Sequence, residues 1–243
     1  MALIEILKFE NQTLSKVCEI DTGVSASVTS FDVRNDVVIF TQKNTLYKYD
    51  LQGNLLAHVT FSKDVFACFL TDDLVAIGYG NTIEVRDIYF TELTSATTAG
   101  TVENIERISE DHFAVYQGGN ISVYKYDGAI NHVVDQSLAN VNGLVNLIDN
   151  YLAVTVVNNL YIYYFDENAG SLVEKVSKTI GARISDISSS DDMSLIIISR
   201  QDGYVELYKF DGSNLSLLHS EKVSGDLAGC DYVLYSPQQV HDV

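Results

Sequence analysis

The chain has 243 residues, with 33 acidic against 15 basic side chains, three cysteines, one proline, no tryptophan and a formal net charge of −18. That length can bury a sizeable core, and 47% apolar against 20% charged residues excludes intrinsic disorder. Phosphate-driven binding needs Lys and Arg to displace counterions, and no run reaches the roughly 18 apolar residues of a membrane helix, so direct nucleic-acid contact and membrane insertion are excluded.

The opening residues, Met1-Ala2-Leu3-Ile4-Glu5-Ile6, have no basic stretch and carry an acid inside a short apolar run. They do not read as a secretory signal, so an intracellular location, cytoplasmic or nuclear, is expected. Period-two alternation then fills the chain, as in Thr45–Asp50 and Tyr204–Phe210, rich in β-branched and aromatic residues. Five short polar steps separate paired apolar runs: Lys43-Asn44, Gly80-Asn81, Gly119-Asn120, Asn158-Asn159 and Asp202-Gly203. Gly, Asn and Asp accept the positive φ of tight turns, so each step predicts a hairpin.

Each second strand ends in an aromatic or basic residue followed by an acid: Phe9-Glu10, Tyr49-Asp50, Arg86-Asp87, Tyr126-Asp127, Phe165-Asp166 and Phe210-Asp211. The acids are spaced 40, 37, 40, 39 and 45 residues apart, and 42 separate Asp211 from Glu10 through the two chain ends. Leu3–Glu10 aligns without gaps on Tyr204–Asp211, and Leu14-Ser15 on Leu215-Ser216, so residues 3–20 read as strands three and four of a unit. Gly229–Pro237 reads as the first strand of such a unit. The pattern predicts one all-β domain over residues 1–243: a six-bladed β-propeller of four-stranded antiparallel blades, its last blade closed by Leu3–Ile20 and Gly225–Val243. Only Gln238–Val243 are left for the second strand of that blade, so the 225–243 seam is a candidate site for a partner's strand.

Ile83-Glu84-Val85-Arg86-Asp87, where a Trp-Asp strand end would stand, and Tyr232-Val233-Leu234-Tyr235-Ser236-Pro237 resemble the WD-repeat family. The resemblance implies a propeller used for protein–protein interaction. No Trp-Asp and no Gly-His dipeptide occurs, so the family's hydrogen-bond relay does not carry over.

Propeller topology sorts the loops onto two rims. Turns between strands one and two collect Asp32, Asp36, Asp72, Asp73, Glu110, Asp111, Asp149, Asp191 and Asp192. Turns between strands three and four add Glu10, Asp50, Asp87, Asp127, Asp166, Glu167 and Asp211, so 16 of the 33 acids share one rim. The candidate docking face within that set is Asp36, Asp72, Asp73, Glu110, Asp111, Asp149, Asp191 and Asp192, suited to a basic segment of a protein partner. For single residues the plainer role is shaping tight turns. The opposite rim receives Lys43, Lys63, Lys178, Arg183, Arg200 and Lys222.

Catalytic signatures are thin. His58, His112, His132, His219 and His241 have no H-x-x-x-H spacing, and Cys18, Cys68 and Cys230 are too dispersed for a metal motif, so no metal site is expected. Gly78-Tyr79-Gly80-Asn81-Thr82 leads into a strand and lacks the Lys-Ser/Thr of a phosphate loop, and Asp166–Gly170 is no calcium loop. No cofactor is implied. The leading reading is a non-catalytic interaction scaffold, an adaptor subunit that is itself a monomeric propeller within a hetero-complex. The alternative is a lactonase- or esterase-like propeller hydrolase, with Glu106, Asn146 and Asp186 near the central channel.

Overall fold

The computed structural model describes residues 3–10, 13–21, 26–190 and 194–222, with side chains from Glu19 onward. A hairpin of β1 (Leu3–Glu10) and β2 (Thr13–Asp21) forms a two-stranded sheet. Five four-stranded antiparallel sheets follow. They are β3 (Val28–Arg34), β4 (Val37–Gln42), β5 (Thr45–Asp50) and β6 (Leu55–Thr60); β7 (Val65–Phe69), β8 (Leu74–Tyr79), β9 (Thr82–Asp87) and β10 (Glu92–Thr97); and β11 (Val102–Arg107), β12 (His112–Gln117), β13 (Asn120–Tyr126) and β14 (Ile130–Ser137). The last two are β15 (Val141–Leu147), β16 (Tyr151–Val156), β17 (Asn159–Asp166) and β18 (Ser171–Thr179), then β19 (Ile184–Ser189), β20 (Leu195–Arg200), β21 (Tyr204–Phe210) and β22 (Leu215–Lys222). Each sheet is a blade. The first strands β3, β7, β11, β15 and β19 are successive neighbours around the axis.

The six-bladed ring expected from the period is therefore corrected to five blades. The strand ending Phe9-Glu10 matches the others, but it belongs to a hairpin and not to a four-stranded blade. An acid-terminated third strand marks one strand of a repeat, so counting such endings counts copies of that strand and overstates complete sheets. Gly225–Val243 lies outside the described residues. The hairpin does share the repeat's fine structure: its register shifts between Ile6 and Leu7, three residues before the closing acid. β21 shifts at the same offset, between Leu207 and Tyr208, and β17 does so between Ile162 and Tyr163.

Burial explains the sequence pattern. Second strands pack on both faces, and Val38, Ile39 and Phe40 on β4 are almost wholly buried. Outer strands such as β6 and β10 alternate exposed and half-buried positions. Apolar clusters fill each joint between blades: Ile39, Phe69 and Ile77 between the first and second, and Leu152, Tyr163 and Phe165 within the layer joining the third and fourth. Ile20 of β2 packs with Val38, Phe40 and Leu51 of the first blade. Fully burying one such aliphatic or phenylalanine side chain contributes about 1.5–3 kcal/mol.

The hairpin turns differ in detail from the expected steps. Lys43-Asn44 and Gly80-Asn81 stand as expected, but the third turn is Gly118-Gly119, the fourth Val157-Asn158, and the fifth takes three residues, Gln201 to Gly203. Gly118 and Gly119 both have positive φ (54° and 84°), the twist that matches flanking strands. These turns also stitch blades together. Val65 N–H donates to Lys43 O at 2.9 Å, Val102 N–H to Gly80 O at 2.7 Å, and Ile184 N–H to Val157 O at 2.8 Å.

Candidate functional site: an acidic rim and a carboxylate-bearing channel

One rim carries the turns β3–β4, β7–β8, β11–β12 and β15–β16, together with the turn closing each blade's third and fourth strands. Two kinds of carboxylate stand there. The acids that end third strands build their own turns: Asp87 accepts from Tyr89 N–H at 2.9 Å and Thr91 N–H at 2.8 Å, and Asp50, Asp166 and Asp211 repeat the arrangement. Bonding from Asn54 holds the Asp50 carboxyl below its usual range, and the Asn214 N–H does the same for Asp211. The other acids lie in the first turns of the first four blades. Asp36, Asp72, Asp73, Glu110 and Asp149 are exposed, and Asp111 is half-buried. Asp191 and Asp192 lie outside the described residues.

Four cations on this rim are engaged by groups of the fold, whereas Lys209 near the end of β21 is exposed. Arg34 binds Asp72 across the first two blades, which lowers the Asp72 carboxyl. Arg86 donates to buried Glu84 at 2.7 Å and to Phe90 O at 2.8 Å. Lys48 Nζ donates to Ile88 O at 2.8 Å, and Lys125 Nζ sits 3.3 Å from Asp111.

The register places Asp32, Cys68 and Glu106 at one level of three successive first strands, opposite Ile39, Ala76 and Ala114. Burial pushes Asp32 up to about 6, against the lowering effect of the Phe69 N–H it accepts at 2.7 Å. Burial, and then the charge of Asp32, pushes Glu106 up to about 8. Burial followed by both acids pushes the Cys68 thiol up as well. The structure does not bring together the three channel residues expected from the sequence. Glu106, Asn146 and Asp186 stand opposite Ala114, Leu152 and Ser199, which are three different levels. Asp32, expected on the rim, is the acid that faces Glu106 electrostatically. Sequence offset does not reveal it, since Asp32 lies five residues before β4 and Glu106 six before β12; only the strand register sets them level.

On the opposite rim Lys43, Lys63 and Arg183 are exposed. Arg200 is held by Asp202 and by buried Glu206, whereas Lys178 and Lys222 lie over the rings of Tyr208 and Tyr204 at 5.1 and 5.7 Å. An open groove of about 830 Å³ runs beside Lys43, Lys63, Asp64, Tyr79, Asn81 and Glu103, with mixed charge.

Where the third and fourth blades meet, His112 is buried and Nδ1 lies 2.6 Å from Asp111 Oδ1 and 4.0 Å from Glu167 Oε1. Ser109 Oγ also reaches Nδ1, at 3.2 Å. Serine and aspartate thus meet the same ring nitrogen, which is not the two-sided relay of an activated serine.

The geometry defines a β-propeller, and comparison with solved structures agrees. The chain is similar to Kluyveromyces lactis Hsv2, with 11% identity over 82% of this chain and 64% of that one, at a TM-score of 0.62. A second Hsv2 structure, with complete loop 6CD, gives 13% identity, 83% and 65% coverage and a TM-score of 0.65. The Myceliophteria thermophila Cps50 (Swd1) β-propeller domain gives 12% identity, 81% and 76% coverage and a TM-score of 0.59. At these identities the likeness shows the β-propeller fold. The chain spans just under two thirds of the length of Hsv2. No protein-family model and no curated relative matches the sequence.

Proposed function

We propose that the protein is a non-catalytic interaction scaffold, an adaptor within a multiprotein assembly, whose acidic rim docks a basic segment of a protein partner. The observation that carries this is an imbalance. Arg34, Arg86, Lys48 and Lys125 are each tied to a group of the fold, while Asp73, Glu110 and Asp149 stand exposed with no cation on them among the described residues. The carboxylates that build turns are structural, but their charge adds to the same field. A hydrolase site in the channel has less support, because Glu106, Asn146 and Asp186 do not converge.

Binding of a synthetic Lys/Arg-rich peptide, followed by fluorescence anisotropy, tests the reading. Affinity is expected to fall steeply between about 50 and 300 mM salt, as the Debye length shrinks. Affinity that stays flat over that range sinks the docking face.

A further inference from the structure

We infer that Asp111, His112 and Glu167 form a divalent transition-metal site that bridges the third and fourth blades at the acidic rim. Sequence spacing hides it, since Glu167 lies on the β17–β18 turn, Asp111 at the end of the β11–β12 turn and His112 at the start of β12. Their ligand atoms nevertheless come within 4.8 Å of one another. Metal–ligand bonds of about 2.0–2.2 Å in a tetrahedron set donors roughly 3.4 Å apart. The two measured separations from His112 Nδ1, 2.6 Å to Asp111 and 4.0 Å to Glu167, bracket that value.

The surroundings suit a metal of the zinc class, which takes imidazole together with carboxylate oxygen. His112 is 4% exposed, and its ring packs against Phe165 at 4.9 Å, so the imidazole is fixed in orientation before any ion arrives. Asn150 Nδ2 donates to Glu167 Oε1 at 2.9 Å and orients that carboxylate, as an outer-shell partner does. Ser109 Oγ donates to Asp111 Oδ1 at 3.0 Å, which steadies the second carboxylate. Exposed Glu110 and Asp149 add a negative field at the mouth.

One group competes. Lys125 Nζ lies 3.3 Å from Asp111 Oδ2, which is the oxygen turned away from His112. It is a half-exposed, flexible cation, and an incoming divalent ion displaces it toward solvent. This competitor separates a metal site from a purely structural ion pair, because removing it has opposite consequences in the two cases.

Titration with Co²⁺, read by its visible d–d absorption and by calorimetry on the intact chain, tests the assignment. One ion per chain is expected. Glu167→Gln, on an exposed turn, is expected to weaken binding at least tenfold while leaving the circular dichroism unchanged. Lys125→Met is expected to tighten it several-fold, and Zn²⁺ to displace Co²⁺ and raise the melting temperature. Absence of saturable one-to-one binding, or binding that Glu167→Gln leaves untouched, overturns the site.

Discussion

Asp32 on β3 accepts the backbone N–H of Phe69 on β7 at 2.7 Å, so a carboxylate of one blade satisfies the inner edge of the next. Ser30, two residues earlier on the same strand, does likewise for Ala67 N–H at 3.0 Å. First strands have no ladder partner on their axial side, and these side chains supply one. The arrangement brings the Asp32 carboxyl beside Glu106, and the pair sets a pH dependence.

Both acids are raised in the folded state, Asp32 to about 6 and Glu106 to about 8, from ordinary values of 3.8 and 4.5. Between those limits the folded chain holds protons that the unfolded chain has lost. Their contribution is therefore complete below the unfolded values and is lost as pH rises through about 6 for Asp32 and about 8 for Glu106. Each group adds a slope of at most about 1.4 kcal/mol per pH unit. The lowered carboxylates Asp50, Asp72, Asp111 and Asp211 act in the opposite sense, but only below their ordinary range near pH 4. Urea midpoints are expected to fall from about pH 5 to about pH 8, and Glu106→Gln is expected to flatten that fall by stabilising the protein at the alkaline end. A wild-type midpoint that climbs over the same range contradicts the assignment.

Close packing between blades gives a steric prediction. A Cβ added at Gly78 on β8 would meet Val102 Cγ1, on the first strand of the next blade, at 2.5 Å. Val102 is 2% exposed and has nowhere to move. Gly78→Ala is expected to cost about 1–3 kcal/mol by overpacking. Adding Val102→Ala removes the clashing methyls, so the double variant is expected to be more stable than the sum of the two single losses predicts. Strict additivity in denaturant melts speaks against the contact.

The strands, their alternation and the four-stranded unit were legible because half-buried sheets write period two directly into residues such as Leu46-Tyr47-Lys48-Tyr49. Topology fixes which end of a blade a turn occupies, and Asp36, Asp72, Asp73, Glu110 and Asp149 are exposed there, but Asp32, expected beside them, stands level with Cys68 and Glu106. Blade number was not, because Phe9-Glu10 carries the mark of a third strand whether or not two further strands accompany it. The metal cluster and the Asp32–Glu106 pair escaped as well. Each joins different blades, and only register and blade spacing decide which residues face one another.

Third strands also carry buried glutamates whose networks composition could not disclose. On β21, Glu206 is 5% exposed, accepts the Tyr208 hydroxyl at 2.7 Å and binds Arg200. On β9, Glu84 at the equivalent position binds Tyr79 and Arg86. Removing one partner of a buried pair leaves the other desolvated and costs about 3–5 kcal/mol. Arg200 retains Asp202, so Glu206→Ala is expected near the lower end of that range. Asp72→Ala, which breaks the more exposed pair with Arg34, is expected to cost less than about 1 kcal/mol. Chemical denaturation of the two variants side by side checks the contrast, and equal losses would place the Glu206 network outside the fold's support.

The rim itself yields the last prediction. Asp73, Glu110 and Asp149 are exposed in three different blades, so neutralising them as Asp73→Asn, Glu110→Gln and Asp149→Asn removes three charges without touching the turn-building carboxylates. Surface changes of this kind alter stability by about 0.5 kcal/mol or less each. Binding of the Lys/Arg-rich peptide is nonetheless expected to weaken several-fold at low salt, chiefly through slower association, and its salt dependence to become shallower. The matched control is Lys43→Gln with Lys63→Gln on the opposite rim, which leaves the acidic field in place. Stopped-flow association rates for the three proteins separate the outcomes: a loss confined to the acidic-rim variant supports docking there, and an equal loss in both variants, or in neither, removes it.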